Sequence, residues 1–199
     1  MKILLVSNNL VIENIDYNYL CPIEDKRVNR PLSIAGEKKA KELVKKINVN
    51  SIYASNYASA IDSAKYLSEA KNIPIIIDKE FRDSEIGDMG KNNIQMLRFM
   101  QERNYDFKYP NGESLKETKY RMLKAINKII DNNEDCVVFT HNRAILGLLL
   151  EYCDTGYNLD ERLILSYNDK VILDDAYHDM DLIEMDFENN KFINIKRLS

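Results

Sequence analysis

Two short stretches carry the side chains best suited to chemistry. Ser7-Asn8-Asn9 follows the apolar run Met1–Val6, and Thr140-His141-Asn142-Arg143 follows the mostly apolar run Asp135–Phe139. Both runs read as buried strands of a parallel sheet, where ligands sit in the crevice beyond the strands' carboxyl ends. If the two strands are neighbours, their polar ends share one cleft. A strand-to-helix turn there presents free backbone N–H groups, which suits an anion and phosphate above all. His141 can donate a hydrogen bond or serve as a general acid, and Arg143 and Asn9 could contact an anion. The competing reading of His141 is a capping or core histidine.

The elements that must position these residues alternate between strand and helix. After the long polar stretch from Asn8 to Asn29, Pro31-Leu32-Ser33 opens a helix with Ser33 as its cap. Ser51–Ala54 and Pro74–Ile77 read as strands, with a helix between them carrying Ala60, Ile61, Ala64 and Leu67 on one face. Ile94–Gln101 reads as an apolar helix. Tyr109-Pro110-Asn111-Gly112-Glu113-Ser114 is turn chemistry leading into a helix over Leu115–Ile130. Arg143–Tyr152 is a further helix, and Asp181–Phe187 with Lys191–Ile195 reads as a closing hairpin. Asp154–Asp175 shows no clear pattern. This alternation predicts an α/β fold, a three-layer α/β/α sandwich with a mainly parallel sheet, as one domain over residues 1–199.

Composition narrows the function classes. The chain has 199 residues with a formal net charge of −4, which argues against nucleic acid and against a basic membrane-binding surface. No apolar run approaches membrane-spanning length and no secretory signal pattern is present, so a cytoplasmic protein is expected. Cys21, Cys136 and Cys153 are scattered and read as reduced thiols rather than a disulfide framework, with a catalytic thiol as the sharper alternative. His178 lies among acids, but without a second histidine it is a weak metal site, so neither metal nor cofactor is expected. Asp83 and Glu85 read most simply as solvated loop acids, and Arg27 and Arg30 as a solvated surface pair. The 12 tyrosines read as packing rather than a base-stacking platform.

Six segments in order resemble the histidine phosphatase superfamily, the phosphoglycerate mutase-like enzymes. Met1–Val6 is similar to the strand before that family's RHG motif. Pro31-Leu32-Ser33 with Gly36 and Ala40 is similar to PLTxxGxxQA, and Ser55 through Ala64 to SxxxRAxxTA. Phe81-Arg82-Asp83 through Gly87 is similar to LREx2FG, Tyr109 through Ser114 to the PGGES turn, and Val137 through His141 to VVSHG. The resemblance implies the family's fold. It also implies which positions should hold its phosphoryl-transfer groups, and there the chain departs. The nucleophilic histidine's position is Asn8, the arginine before it is Ser7, the arginine of SxxxRA is Ser59, and the glutamate proton donor is Asp83. Only the second histidine is retained, as His141, and the glycine after it is Asn142.

A carboxamide nitrogen is not nucleophilic at neutral pH, so Asn8 cannot accept a phosphoryl group as an imidazole does. Two lost guanidiniums remove two fixed charges and their bidentate grip on a dianion. Three losses serving one reaction suggest that the reaction itself is gone. The expectation is therefore a catalytically inactive binding or interaction module for a small anionic ligand or a protein partner. The alternative is a rewired phosphatase or phosphomutase using His141, with Asp83 and Arg143 in support.

Overall fold

Residues Lys2–Ser7 form β1, whose two faces can be read from its alternation. Ile3 and Leu5 join one core cluster, and Leu4 and Val6 join the other. The computed structural model describes residues 1–7, 11–12, 27–89, 93–174 and 181–198. β1 pairs in parallel with β4 (Cys136–Thr140), Leu5 opposite Val138 and Ser7 opposite Thr140. β4 alternates in the same way, with Val138 on the first face and Val137 and Phe139 on the second. β2 (Ser51–Ala54) and β3 (Ile75–Ile77) extend the parallel part. β8 (Leu182–Glu188) and β9 (Lys191–Leu198) close the sheet as an antiparallel hairpin, giving the order β3-β2-β4-β1-β8-β9.

Helices cover both faces. α1 (Ile34–Leu43) and α2 (Ala58–Lys71) bury Ala40, Leu43, Ala60, Ala64 and Leu67 against one face. α4 (Leu115–Asn132) and α5 (Asn142–Leu149) bury Met122, Ile126, Ile145 and Leu148 against the other. The α/β architecture with a mostly parallel sheet is thus the one expected. Ser33 caps α1 by accepting from Gly36 N–H, and Ser114 opens α4 with a full capping box to Glu117. α3 (Ile94–Arg103) is capped by Asn93.

The unassigned segment forms a separate antiparallel sheet of β5 (Asp154–Tyr157), β6 (Leu163–Tyr167) and β7 (Lys170–Leu173). Leu163, Leu165 and Ile172 bury beside α4 and α5 in the first core. Its second turn, Asn168-Asp169, has both residues at positive φ, as a two-residue hairpin turn requires, and Asn189-Asn190 does the same between β8 and β9. Among the described residues no helix is long and apolar enough to cross a membrane.

Candidate functional site

His141 sits at the point where β4 gives way to α5, as the helix N-cap residue with extended backbone. Its side chain is buried, with Nε2 hydrogen-bonded to Ser55 Oγ at 2.9 Å. That oxygen also accepts the Tyr57 N–H at 3.2 Å, and the Tyr57 ring lies 4.6 Å from the imidazole. Ser55 follows β2, so the imidazole is held by a neighbouring parallel strand end. One residue earlier, Thr140 Oγ1 donates to Phe81 O at 2.6 Å. This contact brings the short 3₁₀ turn Lys79–Phe81, and Asp83 after it, to the end of β4.

Asp83 is not a solvated loop acid. It is buried, accepts the Ser84 N–H at 2.9 Å and pairs with Arg27, whose other Nη donates to Ser84 O at 3.0 Å. Burial pushes its carboxyl up, but Arg27, His141, Arg98 and the Ser84 N–H together hold it below the usual carboxylate value. A second ion pair fixes this segment from behind. Arg121 Nε and Nη2 grip the two Glu113 oxygens at 2.7 Å each, while Nη1 donates to the carbonyls of Glu80 and Arg82. Gly87 locks the same segment to the Tyr109–Ser114 turn. Its φ is +73°, and a Cβ there would lie 2.4 Å from Gly112 N.

A cavity of about 70 Å³ is lined by Arg27, Arg30, Tyr57, Ser59, Asp83 and His141, together with Val11. Ser59, Asp83 and His141 are thus brought together from three distant segments. Arg27 and Arg30 correct the surface-pair reading, because both reach into this cavity, and Arg30 Nε is buried with no hydrogen-bond partner among the described residues. A polar stretch that directly follows the strand whose end lines the crevice was the signal that could have found them.

Ser7 is buried and donates its hydroxyl to Asn142 Oδ1. The two positions that the sequence resemblance sets against the family's arginine and glycine are therefore in contact with each other. Asn8 and Asn9 lie outside the described residues, as do Cys21 and His178. Arg143 is directed elsewhere than the cavity. Its Nη1 donates to Glu102 Oε1 at 3.0 Å and its Nη2 to Gln101 Oε1 at 3.1 Å, and burial pulls its pKa down to about 10 against the support of Glu102. Burial pushes the Cys136 and Cys153 thiols up to about 12, so neither is a thiolate at neutral pH. Among the described residues no group of three or more His, Cys, Asp or Glu side chains is placed to hold a metal.

A profile of the histidine phosphatase superfamily (branch 1) matches residues 23–187. The chain belongs to the histidine phosphatase superfamily. The superfamily match begins downstream of Ser7-Asn8-Asn9 and takes in Ser59, Asp83 and His141. One curated relative, described as the uncharacterized phosphatase PhoE of Bacillus subtilis (strain 168), is 29% identical over 126 residues, 61% of this chain. The match spans 64% of that relative's length.

Solved structures of the same shape include the alpha-ribazole phosphatase of Shigella flexneri, with a TM-score of 0.64, 15% identity and coverage of 96% and 93% of the two chains. A mycobacterial glucosyl-3-phosphoglycerate phosphatase in complex with inorganic phosphate has a TM-score of 0.67, 14% identity and coverage of 100% and 95%. At these identities the likeness carries the superfamily fold.

Proposed function

We propose that this chain is a superfamily member that binds a small anion in its remnant cleft and does not transfer a phosphoryl group to histidine. The observation that carries the reading is the rearranged cation set. Positions 7 and 59 hold serines, Ser7 is bound to Asn142, and guanidiniums enter the cavity from residues 27 and 30 instead. Such a cavity can attract an oxyanion without a nucleophile at position 8. Arg27 is committed to Asp83, so Arg30, with its unpartnered Nε, is the guanidinium left to grip a ligand beside His141.

Other features support the absence of turnover. A general acid works best with a pKa near the working pH, whereas Asp83 is held ionised well below neutrality. His141, the substitute nucleophile of the rewired-enzyme alternative, has Nε2 engaged by Ser55. The cavity's volume of about 70 Å³ is roughly two water molecules' share of liquid, which suits a single oxyanion group. Convergent cations around a cavity favour a small ligand over a protein partner.

The test pairs binding with turnover. Calorimetric titration with inorganic phosphate should show saturable binding, weakened at least fivefold by Arg30→Gln. Incubation with 4-nitrophenyl phosphate should give no turnover above that of His141→Ala and no acid-labile phosphohistidine. Robust turnover abolished by His141→Ala would overturn the reading in favour of a rewired enzyme.

A further inference from the structure

A second, larger cavity lies between α3 and the segment joining β5 to β6. Its volume is about 650 Å³, within the range of small-molecule sites, and Asn93, Gln95, Met96, Arg98, Phe99 and Arg162 line it. It shares none of these residues with the cleft around His141. Its walls are held by contacts that do not need a ligand. Arg162 bonds Glu102 at 3.3 Å through Nε and again through Nη2, and Tyr157 Oη donates to Glu102 O at 2.7 Å. Arg103 stacks on the Phe99 ring at 3.5 Å and pairs with Glu161 at 2.8 Å. The β5–β6 segment is thus pinned to the carboxyl end of α3, and the Phe99 ring is held in place.

The lining is both apolar and positive. Met96 is 50% exposed and Phe99 41%, so α3 presents apolar surface that the fold does not cover. Glu102 is one carboxylate shared by two guanidiniums, those of Arg143 and Arg162. Arg98 adds a further positive charge and makes no hydrogen bond or ion pair among the described residues. Two guanidiniums, those of Arg98 and Arg162, therefore line this hollow, and none of the described residues lining it is acidic.

We propose that this cavity is a binding site for an organic anion, with the ligand's apolar body against Met96 and Phe99 and its oxyanion on Arg98. An apolar body supplies the contact area, while a guanidinium that makes no hydrogen bond among the described residues supplies direction and selects the sign of charge. Arg162 reinforces that selection from the opposite wall.

The test uses naphthalene-1-sulfonate, an apolar ring system with one oxyanion, titrated calorimetrically into the full chain. One-to-one saturable binding is expected, weakening as salt is raised. Arg98→Gln should reduce affinity about tenfold and Phe99→Ala about fivefold, while Arg98→Lys, which keeps the charge but loses the fork, falls between Arg98→Gln and the native chain. Both side chains are exposed, so these variants keep the fold, and circular dichroism checks that. Arg30→Gln, in the other cavity, should leave the sulfonate affinity within twofold while weakening inorganic phosphate. Absence of saturable sulfonate binding, or binding indifferent to Arg98→Gln, overturns the proposal and leaves the phosphate result standing. Loss of sulfonate binding in Arg30→Gln overturns it too, because the ligand would then lie in the smaller cleft.

Discussion

Replacing Arg27 with methionine removes the main countercharge of a buried carboxylate. The two side chains are 12% and 11% exposed, so water can replace little of the lost interaction. Removing one partner from a fully buried pair costs about 3–5 kcal/mol. Asp83 keeps the Ser84 N–H at 2.9 Å, so the cost here should be nearer about 2–3 kcal/mol, or roughly 4–12 °C in Tm for a chain of this size.

The loss depends on pH with a definite sign. Asp83's folded pKa is lowered, so its stabilising contribution is present above the unfolded value of 3.8 and disappears as pH falls through the folded value. In Arg27→Met the largest lowering influence is lost while burial remains, so the carboxyl's pKa rises and its stabilising contribution near neutrality falls. The difference between native and variant should be largest at pH 7.5 and should shrink steadily towards pH 3.5. Urea unfolding followed by circular dichroism at pH 7.5, 5.5, 4.5 and 3.5 measures it. In an Asp83→Asn background the same Arg27 change should cost less than half as much. A loss that stays constant across that pH range, or that is unchanged by Asp83→Asn, would refute the reasoning.

Two further predictions concern the scaffold around the cleft. Arg121→Met strips the two 2.7 Å bonds from buried Glu113 and two carbonyl contacts behind the Asp83 segment. It should cost about 3–5 kcal/mol in urea unfolding, and Glu113→Gln should recover part of that loss in the double variant. Restoring the family residues at three positions, Ser7→Arg, Asn8→His and Ser59→Arg, should by itself gain little phosphate affinity, because Asn142 occupies the partner position of Ser7. Adding Asn142→Gly, at a cost of only about 0.3 kcal/mol in helix propensity because asparagine is itself a poor helix former, should raise phosphate affinity at least tenfold over the triple variant by calorimetry.

The sequence by itself determined the central sheet and the polar ends of its two middle strands. Apolar runs ending in polar residues marked β1 and β4, because strands buried on both faces must be apolar throughout and must stop where the crevice begins. Ser33 and the Ser114–Glu117 pair fixed helix starts through local hydrogen bonds that tertiary structure does not alter. The family segments, read in order, placed Ser59, Asp83 and His141 as matching positions. β5–β7 were missed because their strands are only four or five residues long and half exposed, so period-2 burial emerges only once Leu163, Leu165 and Ile172 meet the α4–α5 face.

What only the tertiary structure decided is which charge faces which. Arg27 and Arg30 have the composition of a surface pair, and nothing local distinguishes them from solvated arginines. Arg27's role follows from a contact with Asp83 across 56 residues, and Arg30's from the cavity it lines beside that pair. Arg143 has the opposite history: its place after His141 suggested an anion ligand, but α5 turns its guanidinium towards Glu102, 41 residues away on α3. Ser7 and Asn142 looked like two separate losses and are one contact, because the ends of β1 and β4 lie side by side. Electrostatic partners are set by distances between segments remote in sequence, and those distances exist only once both hydrophobic cores have closed on the sheet.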